Sequence, residues 1–532
     1  MKRRDFIGLS LGLTGLSTGF ISCADEKIKG RIVGASAEIG HRLRNNQFPP
    51  VTERIHKKII IIGGGISGLT AAWYLQKKGE TNFLLLDLEE KVGGNSASGQ
   101  NEISAFPWGA HYIPIPNNDL PEYLEFLEDC QVITGKNEAG LPVYNETHLC
   151  FDPQERLYIN GRWQDGLVPN FGVPQKDQEE IARFLDKMDH YRKATGSDGK
   201  MAFAIPVDNS SKDEVFTQLD TITMQAWLQQ NGFTSHYLHE YVNYCCRDDF
   251  GTPLHLVSAW AGIHYFASRK GAAANAEHSD VLTWPEGNGY LVKQLSKDIQ
   301  SNILTRCMAV NVAPTHRGTM VTYFDVARNK MVEVEASQCI MAVPQFIASR
   351  LLASDERKRQ VNTHFNYVPW MVANLTVGEL EERTGAPRSW DNVLFESEAL
   401  GYVEATHELL QQVIKKRNIT YYLPLTQEPP MQARKNAQLK SHKDWAEMVF
   451  ADLQKVHPDI RKKTEEINVQ VWGHAMVQPL PGTIFNSARQ MLAASIDNKI
   501  HFAHTDLAGI SIFEEGFYQG LAAAKKVLTA ST

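Results

Sequence analysis

Apolar and polar positions along the chain alternate between two periods. Ile59–Ile62 is an unbroken apolar run, the pattern of a strand buried on both faces. Leu69–Gln76 continues as a helix, and Phe83–Leu86 is a second apolar run. Strand, helix and strand in that order predict a parallel α/β unit. Further on, Leu120–Cys130, Asp177–Lys193 and Thr223–Asn231 space their apolar residues as helices do, while Asn374–Val377 and Thr420–Leu425 read as strands. These later elements predict a second region, a mixed sheet flanked by helices.

The turn after the first strand reads Gly63-Gly64-Gly65-Ile66-Ser67-Gly68, a Gly-x-Gly-x-x-Gly carried by Gly63, Gly65 and Gly68. In such a loop the first glycine makes the tight turn, the second lets the backbone approach a pyrophosphate, and the third lets helix and strand pack closely. The helix N-terminus adds unpaired N–H groups, placing Ile66 and Ser67 beside the same phosphates. Asp87 ends the second run, about twenty residues on, where a carboxylate can accept a ribose hydroxyl. The fold class is therefore α/β with a Rossmann-type nucleotide domain.

The 532 residues suffice for two or three domains. Composition is ordinary, 43% hydrophobic and 22% charged, with a net charge of −7. No basic stripe points to nucleic acid. No metal is expected: His239-Glu240 lacks the second histidine of a zinc protease motif. No Gly-x-Ser-x-Gly elbow occurs, and no Walker lysine follows the glycines.

Residues 1–23 are of a different character. Lys2-Arg3-Arg4, a glycine-rich apolar stretch and Cys23 predict a signal peptide, and Arg3-Arg4 before Phe6-Ile7 resembles the twin-arginine type. Phe20-Ile21-Ser22-Cys23 resembles a lipobox, although Phe20 stands where Leu is preferred. The expectation is export by the twin-arginine machinery to the periplasm or cell envelope, with possible membrane attachment through a lipidated Cys23. Residues 24–55 read as a polar, poorly ordered tether. The remaining six cysteines form no Cys-x-x-Cys and are expected to be mostly buried free thiols.

Beyond Asp87 come Val92-Gly93-Gly94-Asn95 and then Trp108-Gly109-Ala110-His111. At this point the chain resembles the flavin-containing amine oxidase superfamily, which includes phytoene-desaturase-like and protoporphyrinogen-oxidase-like members. The resemblance continues through Pro285–Leu291, Ile303–Val312, Ala336–Pro344 and Lys499–Gly520. It implies FAD as cofactor, with Gly93, Gly94, Asn95, Val310, Asp506 and Glu515 joining Gly63, Gly65, Ile66, Ser67, Gly68 and Asp87 around it. Asn95 stands where relatives carry Arg and cannot supply its positive fork. The final helix, from about Glu515 to Leu528, should aim its N-terminus at the flavin. Val372 or Ala373 stands about where amine-oxidising relatives place a lysine. That leaves amine oxidase-like and desaturase-like dehydrogenation open.

The implied plan is an FAD-binding domain from 56–115, 285–350 and 465–532, interleaved with a substrate domain from 116–284 and 351–464. Trp472 and Phe513 match aromatic positions near the flavin. His111, His407 and His474 are candidate acid–base groups, and Arg247 with Asp248 or Asp249 could read substrate charge. The expected activity is removal of a hydride equivalent from a small organic molecule, with oxygen or a quinone as electron acceptor. The alternative is an envelope flavin-binding protein without turnover. An NAD enzyme would use the same glycine loop, but the Asp506 segment exceeds what one nucleotide-binding half needs.

Overall fold

The computed structural model describes residues 28–45, 47–410 and 413–530. The signal segment and Cys23 lie outside them. Two sheets dominate. In the first, the strand Val51–Ile62 lies between Phe83–Leu86 and Lys330–Met341, parallel to both. Ile59 to Ile62 are all buried, as the continuous apolar run requires. Lys330–Met341 is long enough to serve twice. Its first part pairs antiparallel with Thr319–Asp325, and its end pairs parallel with Ile500–Phe502. Two helices, Ile66–Lys77 and Phe513–Ala530, pack side by side on this sheet. Their contact is close because Gly520 has no side chain: a Cβ there would stand 2.1 Å from the Ser67 carbonyl oxygen.

The second sheet has the order Thr464–Val477, Tyr367–Val377, Arg417–Pro424, Tyr402–Glu404, Asp391–Leu394, Glu155–Ile159, Arg162–Asp165. All pairs are antiparallel except Asp391–Leu394 with Glu155–Ile159. It is thus a mixed sheet, and the helices Gln175–Lys193, His236–Phe250 and Ala259–Ala267 build a separate apolar cluster with part of it.

The structure moves three boundaries drawn from sequence. Thr464–Val477 belongs to the second sheet, since it pairs along its length with Tyr367–Val377. The helix Pro121–Asp129 packs Tyr123, Leu124, Phe126 and Leu127 into the core of the nucleotide domain. The segment read as a tether is structured where it is described. Lys29 and Ile32 bridge to Glu466 and Val469 at the edge of the second sheet, and Ala37–Asn45 forms a helix. Cys130, Cys150, Cys245, Cys246, Cys307 and Cys339 are buried free thiols.

Candidate functional site

A groove of about 920 Å³ runs from the glycine loop to the start of the final helix. Gly63, Gly65, Ile66, Ser67, Asp87, Gly93, Gly94, Asn95 and Asp506 all line it. The loop fits a dinucleotide. A Cβ on Gly65 would meet nothing within 4 Å, so the space before the helix N-terminus is open. Gly68 serves packing instead of lining: its Cβ would fall 1.8 Å from the Gly63 carbonyl oxygen. Asp87 accepts from the Gly64 N–H at 2.6 Å and the Glu89 N–H at 2.7 Å, which fixes its carboxylate on the groove wall at the end of the second strand. Burial pushes its pKa up to about 6.

Several expected residues sit differently. Val310 does not line the groove; a bulge between Ala309 and Asn311 leaves it off the pairing register, and Cys307, Met308 and Ala309 form that wall. Glu515 lies behind the groove, where its Oε1 accepts the Val207 N–H at 2.6 Å, tying the last helix to the other domain. Burial pushes its pKa up to about 8. The helix starts at Phe513, two residues earlier than its pattern predicted, so Ile512, Phe513 and Gly516 face the groove. Asp506 lines the groove, yet its oxygens are held by protein: Oδ2 accepts from the Gln345 N–H and the Tyr367 hydroxyl, both at 2.7 Å, and Oδ1 lies 2.7 Å from His504 Nδ1.

The outer wall comes from a segment with no motif. Ser36 donates its N–H and its hydroxyl to Glu89, at 2.9 and 2.8 Å. This fastens Gly34–Arg44 along the groove, where His41 and Arg44 join Arg350 and Arg434. Asn95 donates its amide N–H to the Ala475 carbonyl at 2.5 Å, on the wall shared with a smaller cavity. These groups are near one another: burial and then Arg44 and Arg350 lower the pKa of His41, and Arg434, Arg44 and His41 act likewise on His474. Such a wall suits a diphosphate.

A smaller cavity of about 150 Å³ opens off the groove, sharing Asn95, Ala110, Trp472, Ala475, Ile512 and Phe513 with it. Its sheet side follows from register. Trp370 faces Trp472 across one strand pair, and Val372 faces Tyr422 across the next. The two-residue period puts Trp370 and Val372 on the cavity side and Met371 and Ala373 in a separate core. Val372 thus occupies the position where a lysine was sought. The Trp472 indole donates to the Trp108 carbonyl at 2.6 Å. Between Trp472 and Met476 the strand bulges, and His474 turns into the groove, stacked on Phe346 at 4.4 Å. Burial, reinforced by nearby cations, lowers its pKa to about 3. His111 lines the cavity stacked on Tyr422 at 4.6 Å, and burial lowers its pKa to about 4. Both rings are neutral near pH 7. His407 lies elsewhere, its Nε2 2.8 Å from the Phe151 carbonyl oxygen.

The far end of the cavity is acidic. Asp249 pairs with Arg269 Nη2 at 2.8 and 3.0 Å. Asp248 reaches the cavity wall beside the Tyr112 hydroxyl at 3.3 Å. Arg247 points the other way, to the carbonyls of Ser397 and Glu398. Asp391, with the Tyr244 hydroxyl at 3.4 Å, stands close enough to repel Asp248. Burial, then Asp249, pushes Asp248 up to about pKa 7. Burial, then Asp248, holds Asp391 well above the carboxylate range. Neither Asp391 nor Tyr422 carries a local sequence signal, although a charged residue opening an apolar strand is unusual enough to mark Asp391.

A raised carboxyl pKa makes the folded state bind protons that the unfolded chain releases, so stability falls as pH rises from about 4 through the folded value. Asp391→Asn should remove that loss. The expected result is a Tm about 2 °C or more above the parent at pH 8, with the gain vanishing toward pH 4, read by thermal unfolding across that range.

Residues 61–130 match the model of a family described as an NAD(P)-binding Rossmann-like domain. Solved structures extend the likeness to the whole chain. A redesigned putrescine oxidase is similar at a TM-score of 0.66 and 14% identity, covering 90% of this chain and 100% of its own. Cyclohexylamine oxidase from Brevibacterium oxydans IH-35A gives 0.62 and 14%, covering 89% and 99%. A fatty acid isomerase from P. acnes that produces CLA gives 0.60 and 13%, covering 88% and 98%. The protein has the FAD amine oxidase fold. The glycine loop and the final helix lie at the two ends of one groove.

Proposed function

We propose that the protein is an FAD-dependent oxidoreductase that removes a hydride equivalent from a small organic substrate. The observation that carries this reading is the continuity of the groove. It joins the Gly65 loop to Phe513, and at that end it opens into an aromatic cavity. Bound FAD would supply the hydride acceptor. The chain's own part is to bind, orient and exclude water. Gly63–Ser67 and Asp87 would hold the nucleotide half, and Arg44, Arg350 and Arg434 would balance the diphosphate charge. Trp370, Tyr422, Trp472 and Phe513 would confine the substrate between rings.

The cavity size favours a compact substrate. About 150 Å³ is the size of space that takes up a benzene-sized molecule. Amine oxidase-like chemistry is therefore favoured over desaturase-like chemistry, in keeping with the putrescine and cyclohexylamine oxidases that share the fold. The export expectation stands with it: a twin-arginine signal would carry the folded, cofactor-loaded protein to the envelope, which cell fractionation would test. The direct experiment is purification followed by visible spectroscopy. Stoichiometric flavin, bleached anaerobically by a compact substrate, supports the enzyme. Flavin without bleaching across amines and polyenes supports the binding-protein alternative, and failure to take up FAD defeats both.

A further inference from the structure

We propose that one rim of the nucleotide groove, built from residues 29–32 and the helix Pro430–Leu439, is a membrane-docking face that seats on an anionic phospholipid surface. This role does not depend on what the groove itself binds.

Charge is the first ground. The chain carries a net charge of −7, yet two segments run against it. Residues 28–45 hold Lys29, Arg31, Arg42 and Arg44 against Glu38 alone. Residues 429–443 hold Arg434, Lys435, Lys440 and Lys443 with no Asp or Glu. Folding brings the two segments together. Ile28 packs on the core cluster that contains Ala437 and Trp445. A Cβ on Gly30 would stand 3.2 Å from the His442 ring. Ile32, Met431, Lys435 and Lys440 all line the groove rim. Some of these cations have work already: Arg44 and Arg434 line the groove, and Arg42 lies over the Phe324 ring. Lys29, Arg31 and Lys435 are exposed and enter no ion pair among the described residues. The flanking acids are engaged locally. Glu428 accepts from Asn436 at 2.6 Å, Asp444 caps its own helix through Ser441, and Glu466 accepts from Asn468 at 2.9 Å.

The second ground is apolar. In Pro430–Leu439 the four-residue spacing puts Met431, Lys435 and Leu439 on one face, while Ala433 and Ala437 are buried on the other. Met431 is 65% exposed, and Leu439, at 83%, is the most exposed large apolar side chain among the described residues. Ile32 is exposed beside them. Apolar tips interleaved with long cationic side chains are what a bilayer interface receives: the tips enter the acyl boundary and the cations meet headgroup phosphates. A nucleic acid or an acidic polypeptide would engage the cations and leave Leu439 in water.

The course of the chain selects the bilayer. Cys23, the residue expected to carry lipid, stands five positions before Ile28. Five extended residues reach about 18 Å at most. A lipid on Cys23 would hold this rim beside the membrane and raise the effective concentration of headgroups at it, so a few cations suffice.

The test uses the full chain with Cys23→Ser, so that no lipid tethers it. The six other cysteines are buried, so an environment-sensitive thiol dye labels an introduced cysteine selectively. Leu439→Cys carries the dye on the proposed face, and Val215→Cys carries it in the helical cluster of the second domain. With phosphatidylglycerol vesicles the dye at position 439 should shift to the blue and brighten several-fold, while the dye at position 215 stays unchanged. Phosphatidylcholine vesicles, or about 1 M salt, should abolish the response. Arg31→Glu with Lys435→Glu should weaken the vesicle titration at least about 10-fold, and Met431→Ser should weaken it as well, both at the parent melting temperature. No response at position 439, an equal response at position 215, or a titration indifferent to the charge reversals overturns the assignment. An equal response to polyglutamate overturns it too, in favour of an acidic protein partner.

Discussion

Replacing Gly65 with alanine is expected to empty the nucleotide groove while leaving the fold untouched. Gly65 has ordinary extended geometry, with φ of −74°, so alanine fits its backbone. Its Cβ would project into open space within the groove. A pyrophosphate must approach that same point, and a methyl group holds it away from the helix N–H groups. The apo protein should unfold at the parent temperature, while FAD affinity falls at least about 100-fold, a change worth about 2.7 kcal/mol. Gly68→Ala should behave in the opposite manner. Its methyl would collide with the Gly63 carbonyl, which belongs to backbone and cannot rotate away. Overpacking of this kind costs about 1–3 kcal/mol or more, so this variant should melt early with or without cofactor. Melting curves and FAD titrations on the two variants check both halves. Equal FAD affinity in Gly65→Ala and the parent would place the cofactor elsewhere.

Asp506→Ala is expected to be among the most damaging single changes in the nucleotide domain. The side chain is 1% exposed. Burial alone would raise its pKa, yet His504, Tyr367 and the Gln345 N–H together hold it below the usual carboxylate range. Removing it leaves three groups unpaired in a buried setting, for which about 3–5 kcal/mol is the ordinary cost. The sign with pH is the reverse of that for Asp391. A depressed carboxyl pKa contributes stability that is full above the unfolded value near 4 and is lost as pH falls through the lower folded value. The deficit of Asp506→Ala should therefore be largest at neutral pH and shrink below about pH 4. Denaturant unfolding at pH 7 and pH 3 measures it. A deficit that did not depend on pH would mean that the carboxylate is held by packing and not by its charge.

The first strand, the glycine loop, Asp87 and the aromatic positions Trp472 and Phe513 were legible because each rests on a local pattern. An unbroken apolar run, a glycine spacing or a matched motif needs only neighbours in sequence. What escaped depends on remote partners. Glu515 looks like a first-turn acid facing the cofactor until the Val207 N–H is seen to occupy it. Val310 is displaced by a bulge that no composition announces. The cavity end is assembled from Tyr112, Asp248, Asn288 and Tyr422, residues far apart in sequence that come from both parts of the fold. The wall of cations is the plainest case. Residues 34–44 carry no motif, and their place is set by Ser36 meeting a glutamate 53 positions later.

That leading segment has a consequence for how the protein matures. It is anchored at one end to the rim of the second sheet through Lys29 and Ile32, and at the other to the nucleotide domain through Ser36 and the helix that follows. A dinucleotide in the groove would lie beneath a strap moored on both banks. The exchange of cofactor would accordingly be slow in the finished protein, however modest the grip of any one side chain.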